Sequence, residues 1–577
     1  MLKLLATTLA IAVGSLAGAA SAQTVVSGNI TSDTTWGSGA NPSPIILDVA
    51  VFVKDGATLT IEPGTIVRGQ PRSGPVLQGN PAGTPGALIV TQTGRIVANA
   101  TPDAPIIMTT AAVDNDGNKV PDDVDGDGFE DPWTLGDAFL DADPANDDGD
   151  PTTGPLALLD GNGNDTTGLW GGVVVLGNAP TNNANKAGVG YGKTLVEGLT
   201  VPGFPAADAS YGGVLPHDNS GVLRYVSIRH AGDELGNGNE LNGLSLGGVG
   251  DGTTVEFIEV YANFDDGVEW FGGTVNGSHL AAFYVGDDSF DVDEGYTGVN
   301  QFLFGIQTFF NENDGEDFGS KSGDKAGEFD GDNFRPDNAS LNDNLNVRLA
   351  VNGAETDPTP WPLSNPAFYN MTIIGSTPPS GAEFTPVSPA SVNRGVQFRN
   401  GFAGEVLNSI IVNTADELGN GETCIEVDTG IGDGAPGFDA LNNANAGLIA
   451  LVSSTCDDSA PLAPIEQTVV ANGDAKSAEL GAFGNTINDA PFPFAGLVNE
   501  DATFDPQGTN GMLVPTLKAA PINPRAQLGG SAPPTVGGGV PPIPGLDAVT
   551  FRGAFSSQAG ELWTGTWTTL GSVGLLQ

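Results

Sequence analysis

The sequence predicts an all-β chain wound as a right-handed parallel β-helix, and three observations point there. Short apolar segments recur between glycine and proline turns, similar segments return every 22 to 25 residues, and no amphipathic helix between them is long enough to serve as a crossover. Each observation is local, so each element can be justified in chain order.

The opening "MLKLLATTLAIAVGSLAGAASAQ" places Lys3 before an apolar run and ends in a small-residue Ala-Ser-Ala site, so residues 1–22 are expected to be a signal peptide cleaved after Ala22. No cysteine adjoins the site, which argues against a lipid anchor, and no later apolar run approaches the ~18 residues a membrane span needs. The expectation is a soluble protein outside the cytoplasm, secreted, on the outer cell surface or in the periplasm.

Residues 23–110 read as the first coils. "GATLTIEPGTIVRG" from Gly56 sets Leu59, Ile61 and Ile66 around a Pro-Gly turn, and "GALIVTQTGRIVANATPDAPIIMTT" (86–110) repeats the scheme. An acidic insertion, 111–167, interrupts them. The pattern returns over 168–528 in "GLWGGVVVLGNAP", "GVLRYVSIRHAG" and "TTVEFIEVYAN", with a loop-rich stretch near 311–366. Gly-Gly at 247–248 recurs at 272–273, and "VEFIEV" (255–260) is expected to lie over "LAAFYV" (280–285) at the same 25-residue offset; Asp265-Asp266 recurs as Asp287-Asp288 at 22. A Pro/Gly connector (529–547) leads to "VTFRGAFSSQAGELWTGTWTTL", whose aromatic residues over 548–577 are expected to cap the open end of the coil. A β-sandwich or propeller is the rival, but its units would repeat at about 40 residues or more.

Composition supports order without helices: 84 glycines and 41 prolines accompany 39% hydrophobic residues. Seventy acidic against 20 basic residues give a formal charge of −50, which repels nucleic acid and anionic lipid and favours divalent cations. The only cysteines, Cys424 and Cys456, are an even pair in a chain expected to be exported, so a disulfide is expected; the alternative is two unpaired thiols.

The runs "FVKDGATLTIEPGTIVRG" and "LWGGVVVLGNAPTN", the block from Leu241 to Leu280, the phrase "NMTIIG" and the ending "FRGAF…WTGTW" resemble a large, uncharacterised family of secreted, Asp/Gly-rich β-helix proteins of Gram-negative bacteria. The resemblance covers most of the mature chain. It implies a pectate-lyase-like solenoid and an extracellular or surface residence, and no reaction.

Two acidic clusters carry the candidate chemistry. In "DNDGNKVPDDVDGDGFED" (114–131), Asp123, Asp125, Asp127, Gly128 and Asp131 fill positions one, three, five, six and nine of an EF-hand-type loop, but Thr134 stands where the bidentate glutamate belongs. With Asp114 and Asp116 the loop resembles the helix-free calcium loops of thrombospondin type 3 repeats, so these six aspartates are expected to bind Ca²⁺; a solvated acidic loop is the alternative. The second cluster, Asp265, Asp266, Glu269, Asp287, Asp288, Asp291, Asp293 and Glu294, falls on the coils themselves. Its Asp pairs on neighbouring coils suit Ca²⁺ binding, turn capping, or the two carboxyls of a glycoside hydrolase.

Catalysis meets gaps. The Gly-His-Gly and Arg-Ile-Lys signatures of pectin-hydrolysing β-helices are absent, and a lyase base is hard to find when 263–332 holds only Lys321 and Lys325 against 16 acids. The leading expectation is therefore a calcium-stabilised binding or structural protein engaging polysaccharide; the alternative is a hydrolase or lyase working through Asp265, Asp266, Asp287 and Asp288. Trp170, Trp270, Phe271, Phe283, Tyr284 and Phe290 are expected to stack within the coil rather than to form a sugar platform. In "GLSLG" (243–247), Leu244 and Leu246 should point inward and Ser245 outward.

Overall fold

A computed structural model describes residues 23–71, 76–77, 80–81, 85–111, 167–182, 194–196, 207–234, 240–307, 325–331, 364–375, 392–416, 424–428, 440–458, 462–487, 494–496, 523–526, 546–556, 561–572 and 576. Each coil contributes to three parallel sheets. Val268–Phe271 belongs to the first sheet, and the bent strand Gly277–Phe283 supplies the second and third; Phe290–Asp293 and Val299–Ile306 repeat this one coil on. Among the described residues the first sheet runs from Ala50–Val53 to Ile425–Val427 and the third from Thr24–Val26 to Thr486–Ile487. The chain is an all-β parallel β-helix.

Register places like on like. In the first sheet Leu244 pairs with Val268 and Val268 with Phe290; in the third Val226, Ile258, Leu280 and Leu303 follow one another, all inside one continuous core. The expected offset of 25 residues is corrected here: Val255 pairs with Gly277 and Ile258 with Leu280, 22 apart, so 255–260 lies parallel to 277–282. The Gly-Gly pairs mislead because Leu244 and Val268 are 24 apart while Val255 and Gly277 are 22 apart; the connection between first and second sheets shortens by two residues between these coils.

Between the second and third sheets every coil from Tyr225 onward bends at one left-handed residue. Tyr225, Phe257, His279, Phe302, Asn370, Asn408 and Ser453 occupy equivalent register positions with φ between 50° and 62°. Such a backbone costs a non-glycine residue about 1–3 kcal/mol. Stacking offsets it: the Tyr225 and Phe257 rings lie 4.4 Å apart at 11°, and Phe257 and His279 4.3 Å apart at 15°. Burial lowers the His279 pKa to about 4, so it stacks as a neutral ring at neutral pH.

The C-terminal segment does not sit over an end of the helix. Its described part runs along the flank, with Phe555, Leu562 and Leu570 packed on the outward residues Phe283, Phe304 and Ile410 of the third sheet. Gln301 holds both backbone groups of Asp547, Asn370 donates to the Phe551 carbonyl at 2.8 Å, and buried Glu259 accepts from the Thr569 amide at 2.6 Å. A helix that the sequence reading does not foresee, Pro464–Glu479, packs on the last coil instead. Its contact face is Val469, Gly473 and Ser477; a Cβ on Gly473 would stand 1.5 Å from the Leu451 carbonyl oxygen.

All six singled-out aromatics are buried, in three places. Trp170, Trp270 and Phe290 lie inside the coil, Phe271 lies in an apolar patch outside the first sheet, and Phe283 and Tyr284 lie beneath the C-terminal segment. Cys424 and Cys456 form a disulfide within the core, Cα atoms 5.7 Å apart across a separation of 32 residues. Residues 1–22, expected as a signal peptide, and all of 112–166 lie outside the described residues, as does 529–545 of the expected connector.

Two outcomes follow from this packing. Cys456→Ser should lower the unfolding free energy by ~3 to 4 kcal/mol on the chain-entropy model, and wild type under reductant should share its urea midpoint. Gly473→Val should lift the helix off Leu451 and cost at least ~3 kcal/mol, with limited proteolysis cutting first between 462 and 487; an unchanged cleavage pattern would show that the helix does not close the coil.

Candidate functional site

The outward positions of the first sheet change character along the helix axis. In the early coils Phe52, Ile89, Val174 and Leu176 point out and are covered by Val196, Ala209 and Tyr211. From there register leads Val174 to Ser245, Glu269, Asp291, Glu328, Gln397 and Glu426. An apolar column becomes an acidic one. Beside it Phe271 pairs with Asp293, and Asp330 with Arg399.

The turn entering this sheet adds Asp265, Asp266, Asp287 and Asp288. It is stacked tightly: a Cβ on Gly267 would lie 2.6 Å from the Ser289 carbonyl oxygen, and the Gly267 amide donates to Asp288 O at 2.8 Å. The Asp288 amide donates to Asp266 Oδ1 at 2.9 Å, and the Asp266 amide to Asn242 Oδ1 at 3.3 Å. Asn242 also donates to Glu269. One oxygen each from Asp265, Asp266 and Asp287 lies within 4.8 Å of the others, and the same holds for Asp266, Glu269 and Asp291. Asp266 joins the two groups.

Two like charges about 4.8 Å apart repel by about 3 to 4 kcal/mol at an effective dielectric near 20. The carboxyls respond accordingly. Burial, then Asp265, Asp291 and Asp287, pushes Asp266 well above the usual carboxylate range. Burial raises Asp291 to about 6, with a hydrogen bond to Glu269 opposing the rise. Asp330 is raised by burial and by Asp293 and Asp291, despite Asn400 donating to it at 2.7 Å.

Of the sequence-predicted site residues, Asp265, Asp266 and Asp287 come together, while Asp288 turns to Lys325, its Oδ2 3.7 Å from Nζ. Asp114, Asp116, Asp123, Asp125, Asp127 and Asp131 lie outside the described residues. The sequence reading named Lys325 without assigning it a partner and did not name Arg399; both reach the acidic row. Lys325 pairs with Asp288 and Glu328, and Arg399, more than 100 residues beyond the Asp pairs, reaches Glu328 and lies 3.1 Å from Asp330. The signal was available in "GEFD" (327–330) and "VQFR" (396–399), where Phe329 and Phe398 point in and the alternating polar residues point out. Ser245 faces outward as expected, yet it is buried, with Asn242 Nδ2 3.3 Å from its Oγ.

The arrangement offers oxygen donors alone at its early end and ion pairs at its late end. Hard divalent cations suit the first. No curated protein and no solved structure gives a significant match to this chain. The family model described as "Pectate-lyase like beta helix domain" matches residues 28–120 and 149–429, and the chain belongs to that family.

Proposed function

We propose that this chain is an exported, calcium-binding β-helix of the cell surface or extracellular space of a Gram-negative bacterium, which engages polysaccharide along the outer face of its first sheet. The single observation that carries the reading is a pair of carboxyl trios sharing Asp266, one of Asp266, Glu269 and Asp291 and the other of Asp265, Asp266 and Asp287, with one oxygen from each member within 4.8 Å of the others in its trio. Family membership fits a polysaccharide-related or surface protein. The disulfide is consistent with an oxidising compartment, and the N-terminal apolar run supports export. The carboxylate set fits Ca²⁺: it supplies hard oxygen donors, and Asp266, raised by burial and then by Asp265, Asp291 and Asp287, carries a repulsion that a cation would relieve. The loop at 114–131 is proposed as a second calcium locus.

A second reading, polysaccharide cleavage, is favoured by one observation: Asp291, raised by burial to about 6, neighbours Glu269 across one coil step, a pairing of carboxyls of the kind acid–base cleavage uses. Lys325 and Arg399 are engaged in ion pairs, which favours binding over a free lyase base.

The two are separated by experiment. On a panel of acidic and neutral polysaccharides, retention without release of reducing or unsaturated ends supports the binder. Product release that Asp291→Asn reduces at least 100-fold would replace it with the enzyme. For calcium, saturating ion should stabilise the fold by ~2.7 kcal/mol at 100 times Kd, and calorimetric titration should lose one class of sites in Asp266→Asn/Asp291→Asn and another in Asp123→Asn/Asp125→Asn/Asp127→Asn.

The pH dependence has a definite sign. Asp291 ordinarily titrates near 3.8 and here near 6, so it binds its proton more tightly when folded. Its contribution is complete below about pH 4 and is lost as pH rises through about 6. In EDTA the melting temperature should therefore fall between pH 4 and pH 7, and added Ca²⁺ should restore it at pH 7. A flat curve with and without EDTA would count against the metal.

A further inference from the structure

A cavity of about 380 Å³ opens where the C-terminal segment crosses the column of left-handed residues, on the corner between the second and third sheets and away from the acidic row. Among the described residues only His279 and Phe302 of its lining come from the coils, and the others are Arg525 and residues of 547–563, so the space as described depends on that segment being docked. His279, Phe551 and Trp563 are half-buried and keep part of their surface open. Among the described residues three charged groups, Arg525, Asp547 and Glu561, share the lining with them.

The lining selects its ligand by elimination. A wholly apolar guest would strip water from a guanidinium and two carboxylates without replacing their hydrogen bonds. A phosphate or other dianion would meet two carboxylates for one arginine. A bare cation would meet Arg525. A ring whose faces carry C–H groups and whose rim carries hydroxyls satisfies all of them: it packs on Trp563 and Phe551, donates to Asp547 and Glu561, and accepts from Arg525. The volume sits near the lower end of the ~300–1,000 Å³ usual for small-molecule sites, room for one or two rings.

We infer that this seam is a saccharide site for a neutral hexose or hexose disaccharide, separate from the acidic row and independent of metal. It differs from the first-sheet face in location, in charge balance and in using aromatic surface.

The test is titration of the full mature chain in EDTA with glucose, galactose, mannose and their β1→4 disaccharides, followed by tryptophan fluorescence and calorimetry. Saturable binding of at least one sugar is expected, weakened at least tenfold in Arg525→Ala and in Glu561→Gln, with melting temperatures unchanged. Asp291→Asn should bind as wild type does. No saturable signal from any of these sugars would overturn the inference. So would binding that survives both seam variants, or binding that Asp291→Asn abolishes while Arg525→Ala does not, which would assign it to the acidic row. Failure of calcium binding leaves this result untouched, so the two readings fail separately.

Discussion

In-register parallel stacking is the constraint on which the remaining structure depends. Coils rise by about 4.8 Å, so a side chain has the equivalent residues of the next coils as its nearest neighbours. Inward positions then inherit a ready core, as Val226, Ile258, Leu280 and Leu303 show. Outward positions inherit the same intimacy without its benefit. A column of valines outside must be covered, and Val174 and Leu176 lie under Val196 and Tyr211. A column of carboxylates outside must be neutralised.

The same rule explains the corner and the tail together. Once a left-handed bend is set at Tyr225, the backbone of each following coil inherits it through Phe257, His279 and Phe302. Aromatic rings at that bend stack on one another and leave edges for Trp563 and Trp567, which meet His279 and Tyr225 edge-on at 5.2 and 5.5 Å. Where the column turns to Asn370, the asparagine side chain fixes the tail by donating to the Phe551 carbonyl. Backbone strain, ring stacking and tail docking are thus one arrangement.

How much of this was legible depends on range. The strands and the stacking of the acidic turns were readable, because Asp-Asp before a first-sheet strand recurs at the true 22-residue step for Val268 over Phe290. The strand register over 255–260 was misread, because a connection shortened by two residues leaves no local trace. The helix at 464–479 was invisible because its contact face is small: Gly473 and Ser477 carry no hydrophobic stripe for periodicity to find. Arg399 escaped, and Lys325 was named without its partners, because their approach to the acidic row is set by how many residues are looped out between coils. Chain distance says nothing of that.

Charge along the first sheet is unevenly compensated, and this orients the site. Toward the C-terminal coils Glu328 has Lys325 and Arg399, and Asp330 has Arg399 and Asn400. Toward the N-terminal coils Asp266, Glu269 and Asp291 have amide donors and one another. At about 3 to 4 kcal/mol per unscreened pair, ionising the whole early trio is costly, whereas Glu328 has its cations built in and only Asp330 of the late pair stays raised, by burial and by Asp293 and Asp291. The demand for an external cation therefore falls on one end of the row, while fixed positive groups lie at the other. Under the proposed function, a chain laid along this face would meet a metal-dependent contact at Glu269 and Asp291 and a metal-independent one at Glu328 on the very next coil.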